Sequence, residues 1–141
     1  MPQVVFYQLT ANDDSIAARA SALIADAYAN KAKVSVLCDT QSQAESVDEY
    51  LWQLPAKRFV PHNMFGEGPS TGTPVEICWH PEQVSRRPMV VNVGSGMVPN
   101  AHQHKQIIDF VPLDEDAKQA ARVRYKQYQQ AGCQMQFKSA D

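Results

Sequence analysis

Within its first 51 residues the chain changes hydrophobic period three times, and this constrains the fold more than any other feature. Gln3 to Leu9 is rich in β-branched and aromatic residues and reads as a strand, after which Thr10, Ala11, Asn12, Asp13 and Asp14 supply turn and helix-capping chemistry. Ile16, Ala17, Ala20, Leu23, Ile24, Ala27 and Tyr28 then recur at three- and four-residue intervals, which lays one apolar stripe along a helix. Lys33 to Leu37 is a short apolar strand, and Thr40 followed by Gln43 resembles a capping box opening a helix to about Leu51. Parallel strands need long crossovers and helices supply them, so this alternation predicts an α/β domain. The expected architecture is a central, mostly parallel sheet flanked by helices on both faces.

Further strands are expected at Val75 to Trp79, Met89 to Val93 and Ile107 to Val111. Between Trp52 and Pro74 the prolines and glycines predict a long ordered loop with one short extended piece at most. The last helix should start at Asp114, Glu115 and Asp116, where carboxylates cap it and suit its dipole, and stop near Gly132. Ala117, Ala120, Ala121, Tyr128 and Ala131 would share its packing face. Gln134 to Asp141 either adds an edge strand or frays.

With 141 residues, 44% apolar and 20% charged, the chain suits one ordered domain over residues 1–141. A net charge of −2 supplies no global field for phosphates, so any nucleic-acid contact is expected to be local or indirect. Cys38, Cys78 and Cys133 are odd in number and widely spaced, as befits reduced thiols in the cytoplasm. No apolar run approaches the roughly 20 residues that span a bilayer, and the first residues read as a strand, so neither membrane insertion nor secretion is expected.

Enzymatic signals are weak. Gly66-Glu67-Gly68-Pro69-Ser70-Thr71-Gly72 fails as a phosphate cradle: Pro69 removes a donor, Glu67 repels phosphate, no lysine follows and a strand comes next. The expected fold is therefore Rossmann-like without a nucleotide site. His102 and His104 lack a closed ligand set and read as a solvated loop pair, whereas His62 and His80 sit beside prolines with no nucleophile motif nearby. No catalytic residue, metal site or cofactor is expected.

Two patterns suit binding. Lys118, Arg122, Tyr125 and Gln129 project from one face of the last helix, with Lys126 at its margin. Cations around one aromatic ring fit a peptide with both negative charge and an apolar side chain, although spacing alone is equally met by a solvated helix face. Trp52 and Phe59 flank Gln53 to Arg58, and composition alone would send both to the core.

Leu51 to Trp79 (LWQLPAKRFVPHNMFGEGPSTGTPVEICW) and Ile107 to Gly132 (IIDFVPLDEDAKQAARVRYKQYQQAG) closely resemble the chi subunit of bacterial DNA polymerase III, as do VVFYQL and LCDTQSQAESVDEYLW in style and order. The region from Arg86 to Gln106 departs most from that pattern. The resemblance implies a non-catalytic replisome adaptor. It would pair with the psi subunit as a heterodimer, join the clamp-loader complex through psi, and bind the acidic C-terminal tail of single-stranded DNA-binding protein. By position the tail site would be Val111, Lys118, Arg122, Tyr125 and Lys126, with Arg122 or a lysine on the terminal carboxylate and Val111 and Tyr125 walling a slot for a ring. Trp52 and Phe59 match the surface implied for psi, and the same surface is implied for an accessory helicase-like partner. A small nucleotide-dependent α/β enzyme is the competing expectation, separable by titration with ATP and GTP; a direct nucleic-acid binder is a third, separable by filter binding.

Overall fold

Seven short strands form a single sheet in the computed structural model, which describes residues 2–11, 13, 15–69 and 72–139. The strands are β1 (Gln3–Gln8), β2 (Val34–Leu37), β3 (His62–Met64), β4 (Val75–Cys78), β5 (Met89–Asn92), β6 (Gln106–Val111) and β7 (Gln134–Lys138). Their order is β3-β4-β2-β5-β6-β1-β7, and every pairing is parallel. The sheet is thus wholly parallel, as the crossover argument requires.

Three α-helices cover it: α1 (Ile16–Ala29), α2 (Gln41–Trp52) and α3 (Glu115–Gln130). The period-2 alternation of each strand sorts its side chains between two cores. Val34, Val36, Val91, Ile108 and Phe110 pack with Ala20 and Ile24 of α1 and Val47 and Leu51 of α2. Val4, Phe6, Leu37, Val90 and Ile107 pack with Ala121 and Tyr128 of α3 on the other face.

Local chemistry sets the helix ends. Ser15 caps α1, its hydroxyl accepting from the Ala18 N–H at 3.0 Å; the expected cap segment ends one residue short of it, and Asn12 and Asp14 lie outside the described residues. Thr40 accepts from the Gln43 N–H at 3.1 Å, but the Gln43 side chain accepts from the Asp39 N–H at 2.8 Å, one residue upstream of a reciprocal box. Gln43 also donates to the Val93 carbonyl at 3.2 Å, which ties α2 to the end of β5. Asp114 caps α3 through the Ala117 N–H at 3.0 Å, with Glu115 and Asp116 in the first turn. At the other end Gly132 adopts φ +91°, Cys133 N–H donates to the Tyr128 carbonyl at 3.1 Å and Gly132 N–H to the Gln129 carbonyl at 3.1 Å. This paired closure needs a left-handed residue, so glycine is favoured there.

Two segments resolve expectations that were open. The long connection after α2 holds a 3-10 turn (Ala56–Arg58) and then β3, which pairs with β4 at the edge of the sheet. Its glycine-rich part is a loop whose Ser70 and Thr71 lie outside the described residues. The C-terminal segment is an edge strand, β7 on β1, with Ala140 and Asp141 outside the description.

Candidate functional site

Helix α3 is pinned to the sheet along one side and open along the other. Ala121 and Tyr128 are fully buried, and Arg124 between them is 6% exposed. Arg124 donates Nε to Asp109 Oδ2 at 2.9 Å and Nη2 to Asp109 Oδ1 at 3.0 Å, a bidentate pair. It also donates Nη1 to the Ser95 carbonyl at 2.9 Å and Nη2 to the Phe110 carbonyl at 3.3 Å. Asp109 further accepts from the Phe110 N–H at 2.7 Å and Asn92 Nδ2 at 3.2 Å. Burial pushes the Asp109 carboxyl upward, and the Arg124 guanidinium pulls against that shift. The Tyr128 hydroxyl accepts from the Val98 N–H at 2.9 Å, and burial raises its pKa above the ordinary tyrosine range.

With the helix so held, Lys118, Arg122 and Tyr125 meet Val111 at the end of β6. These four line one groove of about 250 Å³ with Phe6, Gln8, Ala121 and Phe137. Its floor is apolar: the Tyr125 ring lies 5.2 Å from that of Phe6, and Val111 and Tyr125 border the buried cluster beneath. Arg122 is exposed, and among the described residues its guanidinium meets only Gln119 Oε1, at 3.4 Å. Among the described residues no carboxylate pairs with this cation, so the groove joins a positive charge to an apolar floor. Of the five positions expected here, Lys126 alone does not line the groove; it lies exposed on the same helix. Phe137, Phe6 and Gln8 were missed by sequence reasoning. Phe137 could have been found from its alternation with Met135, once β7 is placed beside β1.

At the opposite edge Trp52 is 60% and Phe59 50% exposed, their rings 5.9 Å apart. Composition would bury them; in the fold they form a surface pair, because α2 ends at Trp52 and the following turn swings Phe59 back beside it. Lys57 and Arg58 flank the pair, and Arg58 bonds Asp26 of α1 at 2.5 Å.

The C-terminal ends of the strands, where parallel α/β folds seat nucleotides, enclose a cavity of about 150 Å³ lined by Asp39, Asn92, Ser95, Asp109 and Arg124 among others. Here the Ser95 N–H donates to both Asp39 carboxylate oxygens, at 3.0 and 2.9 Å. A side chain at Gly94 would put its Cβ 2.5 Å from Asp39 Oδ1. The Ser95 N–H and the Arg124 guanidinium are thus already engaged by carboxylates.

One histidine expectation is overturned. His102 is exposed and meets the Ala131 carbonyl at 2.9 Å, but His104 is only 4% exposed, its Nδ1 2.6 Å from the Arg87 carbonyl. Only His102 lies at the surface as expected; His104 is turned inward onto the Arg87 carbonyl. All three cysteines are free and buried, and burial pushes the Cys38 and Cys78 thiols up to about 12. No helix among the described residues is long and apolar enough to cross a membrane.

Fold and surfaces together define a wholly parallel α/β domain with a groove beside α3 at one edge of its sheet and an exposed aromatic pair at the other. The family profile described as DNA polymerase III chi subunit, HolC, matches residues 1–136. Similar proteins include DNA polymerase III subunit chi of Escherichia coli (strain K12), 40% identical over 111 residues, covering 78% of this chain and 76% of that one. The same subunit of Haemophilus influenzae is 39% identical over 129 residues and 90% of each chain, and that of Pseudomonas aeruginosa 24% identical over 140 residues. The chain belongs to the DNA polymerase III chi subunit family.

Proposed function

We propose that this protein is a non-catalytic adaptor of the DNA replication machinery, tying the clamp-loader complex, through the psi subunit, to the acidic C-terminal tail of single-stranded DNA-binding protein. The observation that carries the reading is the groove beneath α3, where Arg122 and Lys118 border an apolar slot walled by Val111, Tyr125 and Phe137. A tail ending in acidic residues and a phenylalanine carboxylate matches it: the ring enters the slot, the terminal carboxylate pairs with Arg122, and the upstream acids run past Lys118 and Lys126. Trp52 and Phe59 supply the psi face, where exposed aromatics of this size serve as anchors. The same face would serve an accessory helicase-like partner. Contact with nucleic acid is then indirect, in keeping with the net charge of −2.

The engagement of the Ser95 N–H by Asp39 and of Arg124 by Asp109 at the strand ends counts against a nucleotide-dependent enzyme. The test is fluorescence polarisation with a labelled acidic peptide ending in Pro-Phe, across a salt series, for wild type and Arg122→Ala. Salt-sensitive binding that disappears with the arginine is expected. Wild-type protein that ignores the peptide would overturn the tail-binding role.

A further inference from the structure

A buried histidine sits beneath the exposed aromatic pair. His62 opens β3, and its side chain is 1% exposed. Its Nδ1 lies 2.7 Å from the Val60 carbonyl, an acceptor only, so Nδ1 carries a proton. Its Nε2 lies 3.1 Å from Asp48 Oδ1 of α2. That carboxylate stands at ion-pair distance but off the N–H axis, so Nε2 has an electrostatic partner without an aligned hydrogen bond. The Trp52 indole packs on the same imidazole, with centroids 4.8 Å apart and planes at 59°. Asp48 and Trp52 are four residues apart on α2, so one helix face offers both the carboxylate and the indole to a single ring.

Both ring nitrogens therefore face oxygens that can only accept. A neutral imidazole carries one N–H and leaves the other nitrogen as a lone pair, which here would point at Val60 or at Asp48; an imidazolium suits both. Asp48 is the one carboxylate within ion-pair distance among the described residues. The other charged groups on the elements packed around His62 are Glu45 and Glu49 on α2, Glu76 on β4, and Lys57 and Arg58 on the intervening turn, with Arg58 engaged by Asp26.

We propose that His62 is the positioning residue of the aromatic face: as an imidazolium between the Val60 carbonyl and the Asp48 carboxylate, it holds the Trp52 indole in the orientation a partner engages. The inference rests on the reading of Trp52 and Phe59 as the psi face. Loss of the Nε2 proton sets a buried lone pair against a carboxylate oxygen. Asp48, whose side chain is 31% exposed, then turns to solvent, and the indole loses its fixed support.

The test has two arms, run on the intact chain from about pH 5 to about pH 8, the range in which histidines exchange their charge. In the first, Trp52 emission is followed in a Trp79→Phe background, since an imidazolium quenches an indole that it touches. Emission should rise with pH, and the rise should vanish in His62→Gln. In the second, psi binding is titrated for wild type, His62→Gln and Asp48→Asn. Wild-type affinity should fall roughly tenfold across the range, the scale of breaking one charge-assisted interaction beneath an anchor. Both variants should be weaker than wild type at the acid end and nearly flat with pH; Asp48→Asn, at a part-exposed helix position, guards against misfolding of the histidine variant. Identical pH profiles for wild type and His62→Gln, or Trp52 emission indifferent to pH, would overturn the proposal while leaving the psi face intact. A wild type that never binds psi would instead overturn the reading of the face, and the emission arm would still decide whether His62 governs Trp52.

Discussion

The two edges of the sheet solve the same problem by opposite means. At the β7 edge the exposed aromatic surface is recessed, with Tyr125 and Phe137 forming a groove rimmed by Lys118 and Arg122. At the β3 edge Trp52 and Phe59 stand out from the surface. A groove with cations at its mouth selects a short charged segment, and a protruding aromatic pair inserts into a pocket supplied by a folded partner. Their supports differ too. The groove rests on a buried ion pair, Arg124 with Asp109, that locks α3 to β6, whereas the aromatic pair rests on a single imidazole and a part-exposed carboxylate. The first edge is held by a bidentate ion pair buried in the core, and the second by contacts nearer the surface.

Five perturbations break that comparison at different strengths. The largest effect belongs to Arg124→Ala, which strands a buried carboxylate and should cost about 3–5 kcal/mol of unfolding free energy by urea titration. Two residues away, Arg122→Ala should leave stability within about 0.5 kcal/mol yet weaken the tail peptide by more than about tenfold. One helix would then carry a residue that builds the groove and another that uses it. At the other edge, Trp52→Ala or Phe59→Ala should weaken psi binding by about 2 kcal/mol or more in a calorimetric titration, with tail-peptide affinity unchanged. Tyr128→Phe removes the acceptor for the buried Val98 N–H and should cost about 1–2 kcal/mol in the same urea assay.

The smallest effect is alkaline. Burial raises the Cys38 and Cys78 thiols from 9.0 to about 12, so between those values the folded chain binds more protons than the unfolded one. Their contribution should be fully present below pH 9 and decline as pH rises toward 12, a slope that Cys38→Ala with Cys78→Ala would flatten.

The alternation of periods made the α/β class and most element positions legible, since strands buried on both faces and amphipathic helices leave strong patterns. β3 was legible only as one short extended piece somewhere between Trp52 and Pro74, because His62-Asn63-Met64 has too little apolar character to fix its place; it exists as a strand because the edge of β4 accepts it. Trp52 and Phe59 misled composition because burial is decided by where α2 ends, not by residue type. The buried ion pair has a trace in the sequence too: Arg124 interrupts the stripe of Ala121 and Tyr128, and Asp109 sits between Ile108 and Phe110 in an apolar strand. A cation and an acid, each at a core position, imply one another. The cationic face of α3 was visible from spacing alone, but its apolar floor was not, because Phe6, Val111 and Phe137 come from three strands whose adjacency only the folded sheet creates.

The proposed adaptor role requires that two partners be held at once, and six strand spacings of about 4.8 Å separate the two edges of the sheet by roughly 29 Å. The most direct test is calorimetric titration of the tail peptide into the free chain and into its complex with psi. Affinities equal within about twofold are expected for independent faces at that separation. Loss of peptide binding in the complex would mean that the two partners compete, and the chain could not tether one to the other.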